Sequence, residues 1–109
     1  MEISRAPEMI QLDPDDLAIV RQILKDNIPE YPVWAFGSRV RGTAKQYSDL
    51  DLAIISMKPL PLSVLADLNT AFDESDLIFK VDIVDWATTS DNFRRIIEAN
   101  KVILQAGRL

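Results

Sequence analysis

The stretch YPVWAFG, residues 31–37, carries apolar side chains at odd and even positions alike and is stopped by a glycine. A strand that is apolar on both faces has to be covered on both, which commits the chain to layers packed around a sheet. Two other segments read as strands: SDLDLAIIS at 48–56 and LIFKVDIVDW at 77–86. Helical spacing fills the gaps. Leu17, Val20, Ile23 and Leu24 recur along one face of a predicted helix from Pro14 to Asn27. Asp13 suits its N-cap, Pro14 its first turn, and Asp15 and Asp16 its positive end. A second helix is predicted over SVLADLNTAFDES, capped by Ser63, with Leu65, Leu68 and Phe72 apolar. A third is predicted over DNFRRIIEA, capped by Ser90. KVILQ at 101–105 reads as strand or helix tail. Helices alternating with strands predict an α/β sandwich around a small sheet, parallel or mixed.

The 109 residues suffice for one domain with a single modest core. No apolar run approaches the roughly 20 residues of a membrane span, and residues 1–16 lack the apolar core of a secretory leader. The chain has no cysteine and no histidine, which closes disulfides, thiolate metal sites and every imidazole mechanism. A cytoplasmic protein is expected. Chemistry at neutral pH would fall to carboxylates and a hard metal. A net charge of −5 argues against a broad nucleic-acid surface. Yet Arg39, Arg41 and Lys45 cluster in one stretch, GSRVRGTAKQYSDLDLAI, residues 37–54.

Within that stretch, alternation puts Asp49, Asp51, Ala53 and Ile55 on one strand face and Leu50, Leu52 and Ile54 on the other. A solvent-facing strand face stays polar along its length. This one begins with two carboxylates and then turns apolar, so the acids sit at the rim of a packed surface. Residues two apart on a strand lie roughly 6.5–7 Å apart at Cα, close enough to converge on one cation or on two. Their mutual repulsion raises one pKa unless a cation neutralises it, and magnesium prefers such oxygens together with phosphate. Upstream, Gly37 and Ser38 end a strand and open a helical turn, where free N–H groups, a close backbone and a hydroxyl suit a phosphate. Arg39 and Arg41 could add charge-assisted contacts. The bland alternative is an Asp49 that turns the chain, an exposed Asp51 and solvated arginines.

A third acid lies in FKVDIVDW. Asp82 shares a face with Lys80, Val84 and Trp86, whereas Asp85 shares the other with Val81 and Ile83. Either needs a cation or hydrogen-bond donors in so apolar a strand, and a salt bridge to Arg94 or Lys80 would serve structurally.

Gly37-Ser38, ten intervening residues, Asp49-Leu-Asp51 and an acid on a later strand together resemble the DNA polymerase β-like nucleotidyltransferase superfamily. The likeness is greatest to its minimal members, which are paired with a helical HEPN-type partner. It rests on WAFGSRVRG, SDLDL and VDIVDW, and with the flanking helices it spans nearly the whole chain. The resemblance implies a small mixed β-sheet flanked by helices, packed on one side. It places three metal-binding, catalytic acids at Asp49, Asp51 and Asp82. The nucleotide's terminal phosphates would lie on Gly37 and Ser38, with Arg41 and Gly42 matching the arginine-glycine that follows. It further implies ATP as substrate, two magnesium ions (or manganese in their place), and transfer of AMP to a tyrosine of a HEPN-type toxin. Because the chain is short, the partner is expected to supply the acceptor, in a homo- or hetero-oligomer. Two other readings stay open: nucleotidyl transfer to a small hydroxylated molecule, and a non-catalytic module that neutralises its partner by contact.

Overall fold

The computed structural model describes residues 10–108. The reading of the N-terminal stretch as free of a leader falls in part on residues 1–9, which lie outside the described residues. Helix α1 spans Pro14–Asn27, and the Asp13 carboxylate accepts from the Asp15 N–H at 2.9 Å, as an N-cap should. Strand β1 (Val33–Phe36) leads into the single-turn helix α2 (Ser38–Arg41). Then follow β2 (Leu50–Ile54), α3 (Leu62–Asp73), β3 (Val81–Asp85), a 3-10 turn (Trp86–Thr88), α4 (Asp91–Ala99) and β4 (Val102–Gln105). Residues 101–105 thus resolve in favour of a strand. Helix α3 departs from expectation at its start. Pro61, not Ser63, is its N-cap, and no side chain caps it; the fixed φ of proline sets the entry one residue before Leu62.

The sheet is mixed, in the order β3-β2-β1-β4. β1 runs antiparallel to both β2 and β4, and β2 runs parallel to β3. Its two faces are covered differently. Val33, Ala35, Leu50, Leu52, Ile54, Val81, Val102 and Leu104 join α1 (Leu17, Val20, Leu24) and α3 (Leu68, Phe72) in the main core. On the other face Phe36 and Ala53 pack with Ile97 of α4, flanked by Trp34, Ile55, Val84 and Trp86. The helices therefore do not all lie on one side, as the resemblance implied: α4 covers part of the second face. Of its apolar residues, Ile97 is buried against the sheet, whereas Phe93 and Ile96 stay at the edge with surface exposed. Among the described residues no helix is long and apolar enough to cross a membrane.

Candidate active site

The C-terminal end of β1 and the N-terminal ends of β2 and β3 meet at one rim of the sheet. Register brings the acids together there. Asp51 stands opposite Phe36 on one side and opposite Asp82 on the other, on strands about 4.8 Å apart. Two like charges abreast on adjacent strands repel. Burial raises the Asp51 pKa above the ordinary carboxylate value, Asp82 and Asp49 raise it further, and Arg41 pulls it back. Asp82 is relieved in part by Lys80, at 3.9 Å across an exposed pair.

Gly37 closes the rim. Its φ of 82° is a left-handed backbone, and a Cβ there would run into the Asp51 carboxylate. The turn begins at that glycine: the N–H groups of Val40 and Arg41 both donate to the Gly37 carbonyl, at 3.0 Å each. Gly42, at φ 78°, ends the turn. Gly37, Arg41, Asp51 and Asp82 then line one cleft of about 470 Å³, with Phe36, Ile83, Val84, Phe93 and Ile96. Asp49 and Ser38 do not line it. Asp49 is exposed just before β2, and Ser38 is the first residue of α2.

Arg39 does something other than the expected phosphate contact. It is buried, and its guanidinium donates to the carbonyls of Gln11 (2.8 Å), Ser48 (3.0 Å) and Gln46 (3.1 Å) while stacking on Phe79 at 4.2 Å. Desolvation lowers its pKa, against the charges of Asp16 and Asp49. Arg39 therefore pins the loop that joins the glycine turn to the aspartates. Sequence reading also passed over the cleft's apolar residues, although Phe93 and Ile96, one helical turn apart, carry a visible signal.

Asp85 is engaged in hydrogen bonds within the fold. It faces away from Asp82, accepts from Ser56 Oγ, and accepts from the backbone N–H groups of Leu60 (2.8 Å) and Ala87 (3.3 Å). Among the described residues no arginine reaches it; Arg94 donates instead to the Trp86 carbonyl at 2.6 and 3.1 Å. Asp85→Ala is expected to lower the unfolding free energy by on the order of 3 kcal/mol, because charge-assisted bonds are lost and their donors are left buried. Urea denaturation checks this, and AMP-PNP affinity should stay unchanged under conditions where the variant is folded.

The donor set suits a hard divalent cation: carboxylate oxygens abreast at Asp51 and Asp82, a third acid two residues upstream, and a negative charge that Arg41 and Lys80 offset only in part. Among the described residues, however, no three acidic side chains are drawn together closely enough to hold an ion unaided. Asp49, Asp51 and Asp82 are therefore not gathered into a self-sufficient cage, although Asp49 lies near enough to add to the charge around Asp51. Magnesium sites of this kind are ordinarily completed by substrate phosphates rather than by protein alone.

Comparison with known proteins agrees with this geometry. Residues 18–108 match the sequence model of the family described as polymerase beta, nucleotidyltransferase. The chain is 54% identical to a probable protein adenylyltransferase MntA of Haemophilus influenzae over 96 residues, which cover 88% of this chain and 84% of that protein. A toxin–antitoxin solved with AMP-PNP superposes at a TM-score of 0.64 with 25% identity, covering 84% of this chain and 73% of that one. A mutant MntA–HpeT toxin–antitoxin superposes at 0.66 with 28% identity, covering 88% and 74% respectively.

Proposed function

This chain belongs to the polymerase β nucleotidyltransferase family, and we propose that it transfers AMP from ATP to a tyrosine hydroxyl of a HEPN-type helical toxin, as the antitoxin of the pair. The observation that carries the reading is the Asp51–Asp82 pair beside the Gly37 turn in a single cleft. The kinship with a protein adenylyltransferase and with toxin–antitoxin assemblies supports the choice of acceptor. A requirement for ATP accords with a cytoplasmic protein, acting as a single domain in complex with its partner.

The roles divide by position. Gly37 lets the backbone approach the terminal phosphates, Ser38 offers a hydroxyl, and Arg41 at the cleft edge neutralises phosphate oxygens. Asp49, Asp51 and Asp82 would hold two magnesium ions, or manganese, which when bound neutralise the triphosphate and lower the pKa of the attacking hydroxyl. Asp82, on the edge strand, faces the acceptor and takes or steers its proton. The hydroxyl oxygen bonds to the α-phosphorus, the bond from that phosphorus to the bridging oxygen breaks, and pyrophosphate leaves on the Gly37 side. Positioning and charge neutralisation do the catalysis, so no histidine is needed.

The test is transfer from α-labelled ATP with magnesium to the separately purified HEPN-type partner, with Asp51→Asn as control. Label on a partner tyrosine, lost in the control, is the expected result. Label on a small hydroxylated compound instead, or partner neutralisation that survives Asp51→Asn, would overturn it.

A further inference from the structure

Five cleft residues take no part in the electrostatics of the site: Phe36, Ile83, Val84, Phe93 and Ile96. Phe36 is buried and meets Phe93 edge to face at 5.7 Å. Helix α4 is fixed beneath the cleft because Ile97 is fully buried beside Phe36 and Ala53, and Arg94 is tied to the Trp86 carbonyl. That anchoring leaves Ile96 outside the core with 59% of its surface exposed, and Phe93 with 36%. Neither exposure is needed for the fold.

We infer that the edge of α4 formed by Phe93 and Ile96, with Val84 of β3, is the acceptor subsite and receives the aromatic ring that bears the reacting hydroxyl. The inference rests on the nucleotidyl-transfer reading. In that reaction the incoming and leaving oxygens lie roughly in line through phosphorus. The leaving pyrophosphate belongs to the side of Gly37 and Arg41, so the hydroxyl enters from the opposite side, past Asp82. On the Asp82 face of β3 the next cleft residue is Val84, and α4 lies alongside. An apolar wall there gains from burying a phenol ring and gains nothing from a polyhydroxylated, cationic small molecule. It is also ill suited to a purine, whose recognition needs polar groups placed against its edge, and none of these residues has a polar side chain.

The experiment compares Ile96→Ser and the conservative Ile96→Leu with the native chain in two measurements. One is the Kd for AMP-PNP with magnesium. The other is the steady-state transfer of α-labelled AMP to the separately purified, titrated HEPN-type partner. The site is exposed, so both variants should fold. For Ile96→Ser, kcat/KM toward the partner should fall about tenfold or more, mostly through KM, as expected when an apolar pocket contact is lost. The Kd for AMP-PNP should stay within about twofold, and Ile96→Leu should restore most of the transfer. Unchanged transfer would overturn the inference alone. A parallel loss of AMP-PNP affinity would overturn it by assigning the wall to the adenine. A native chain that binds AMP-PNP yet never labels the partner would sink the functional reading, and this inference with it.

Discussion

Replacing Asp51 by asparagine is expected to reduce nucleotidyl transfer by about a thousandfold or more, while the variant stays folded. Asp51 is the central acid of the site: it lies between β1 and β3, faces Asp82 across the parallel pair, and abuts the glycine turn. Its carboxylate would serve both magnesium ions, and removing such a charge-stabilising element typically costs several kcal/mol of barrier, each 1.36 kcal/mol being about tenfold in rate. An amide keeps the shape and loses the charge, so packing is spared. Single-turnover transfer of α-labelled AMP measures the loss. Residual activity within a few-fold of the native chain would remove Asp51 from the mechanism.

The same substitution should raise the Tm of the metal-free protein at neutral pH. Burial, Asp82 and Asp49 raise the Asp51 pKa in the folded state. A raised folded pKa means that its stabilising contribution is present below the unfolded carboxylate value of about 3.9 and is lost as pH rises through the folded value. At pH 7 the ionised group is therefore a net cost to the fold, which the amide relieves. The gap in Tm between variant and native chain should close as the pH falls below about 4. Magnesium added together with AMP-PNP should raise the native Tm and move the variant's far less, since an ion completed by the nucleotide's phosphates and bound only by the folded state stabilises it by mass action.

Strand identity and facing were legible because they are local. The switch from acid to apolar along Asp49, Asp51, Ala53 and Ile55 needs only the period of two. The choice between Asp82 and Asp85 was not local. Both interrupt an apolar strand, and only the parallel register of β3 on β2 sets Asp82 beside Asp51 and leaves Asp85 to Ser56 and the Leu60 N–H. Arg39 misled for the same reason. Beside Arg41 it reads as another phosphate ligand, yet its partners Gln11 and Phe79 lie far away in sequence. Helix α4 shows its apolar face plainly, but no pattern within residues 91–99 says which side of the sheet that face will meet. Strand order escapes for that reason too, because it is decided by contacts between segments rather than within them.

Gly37→Ala should be nearly as damaging as the loss of Asp51, and for a reason of shape alone. Two penalties coincide at this residue: a φ of 82°, and an added Cβ that would collide with Asp51 Oδ2 and stand 3.1 Å from its Cγ. The first costs about 1–3 kcal/mol in stability, because φ 82° with ψ −157° falls in a region essentially confined to glycine. The second forces either the turn or the carboxylate to move, and a displacement of about 1 Å in a positioned site can cost about a hundredfold in rate. Gly42→Ala separates the two effects. Gly42, left-handed at φ 78° and ψ 18°, has nothing among the described residues within 4 Å of an added Cβ, so that variant should lose about 1–2 kcal/mol by urea denaturation and keep transfer within a few-fold. If both alanine variants lose activity equally, backbone strain in α2 is what disables the site. If only Gly37→Ala does, the bare glycine is needed because the Asp51 carboxylate occupies the space where any side chain would stand.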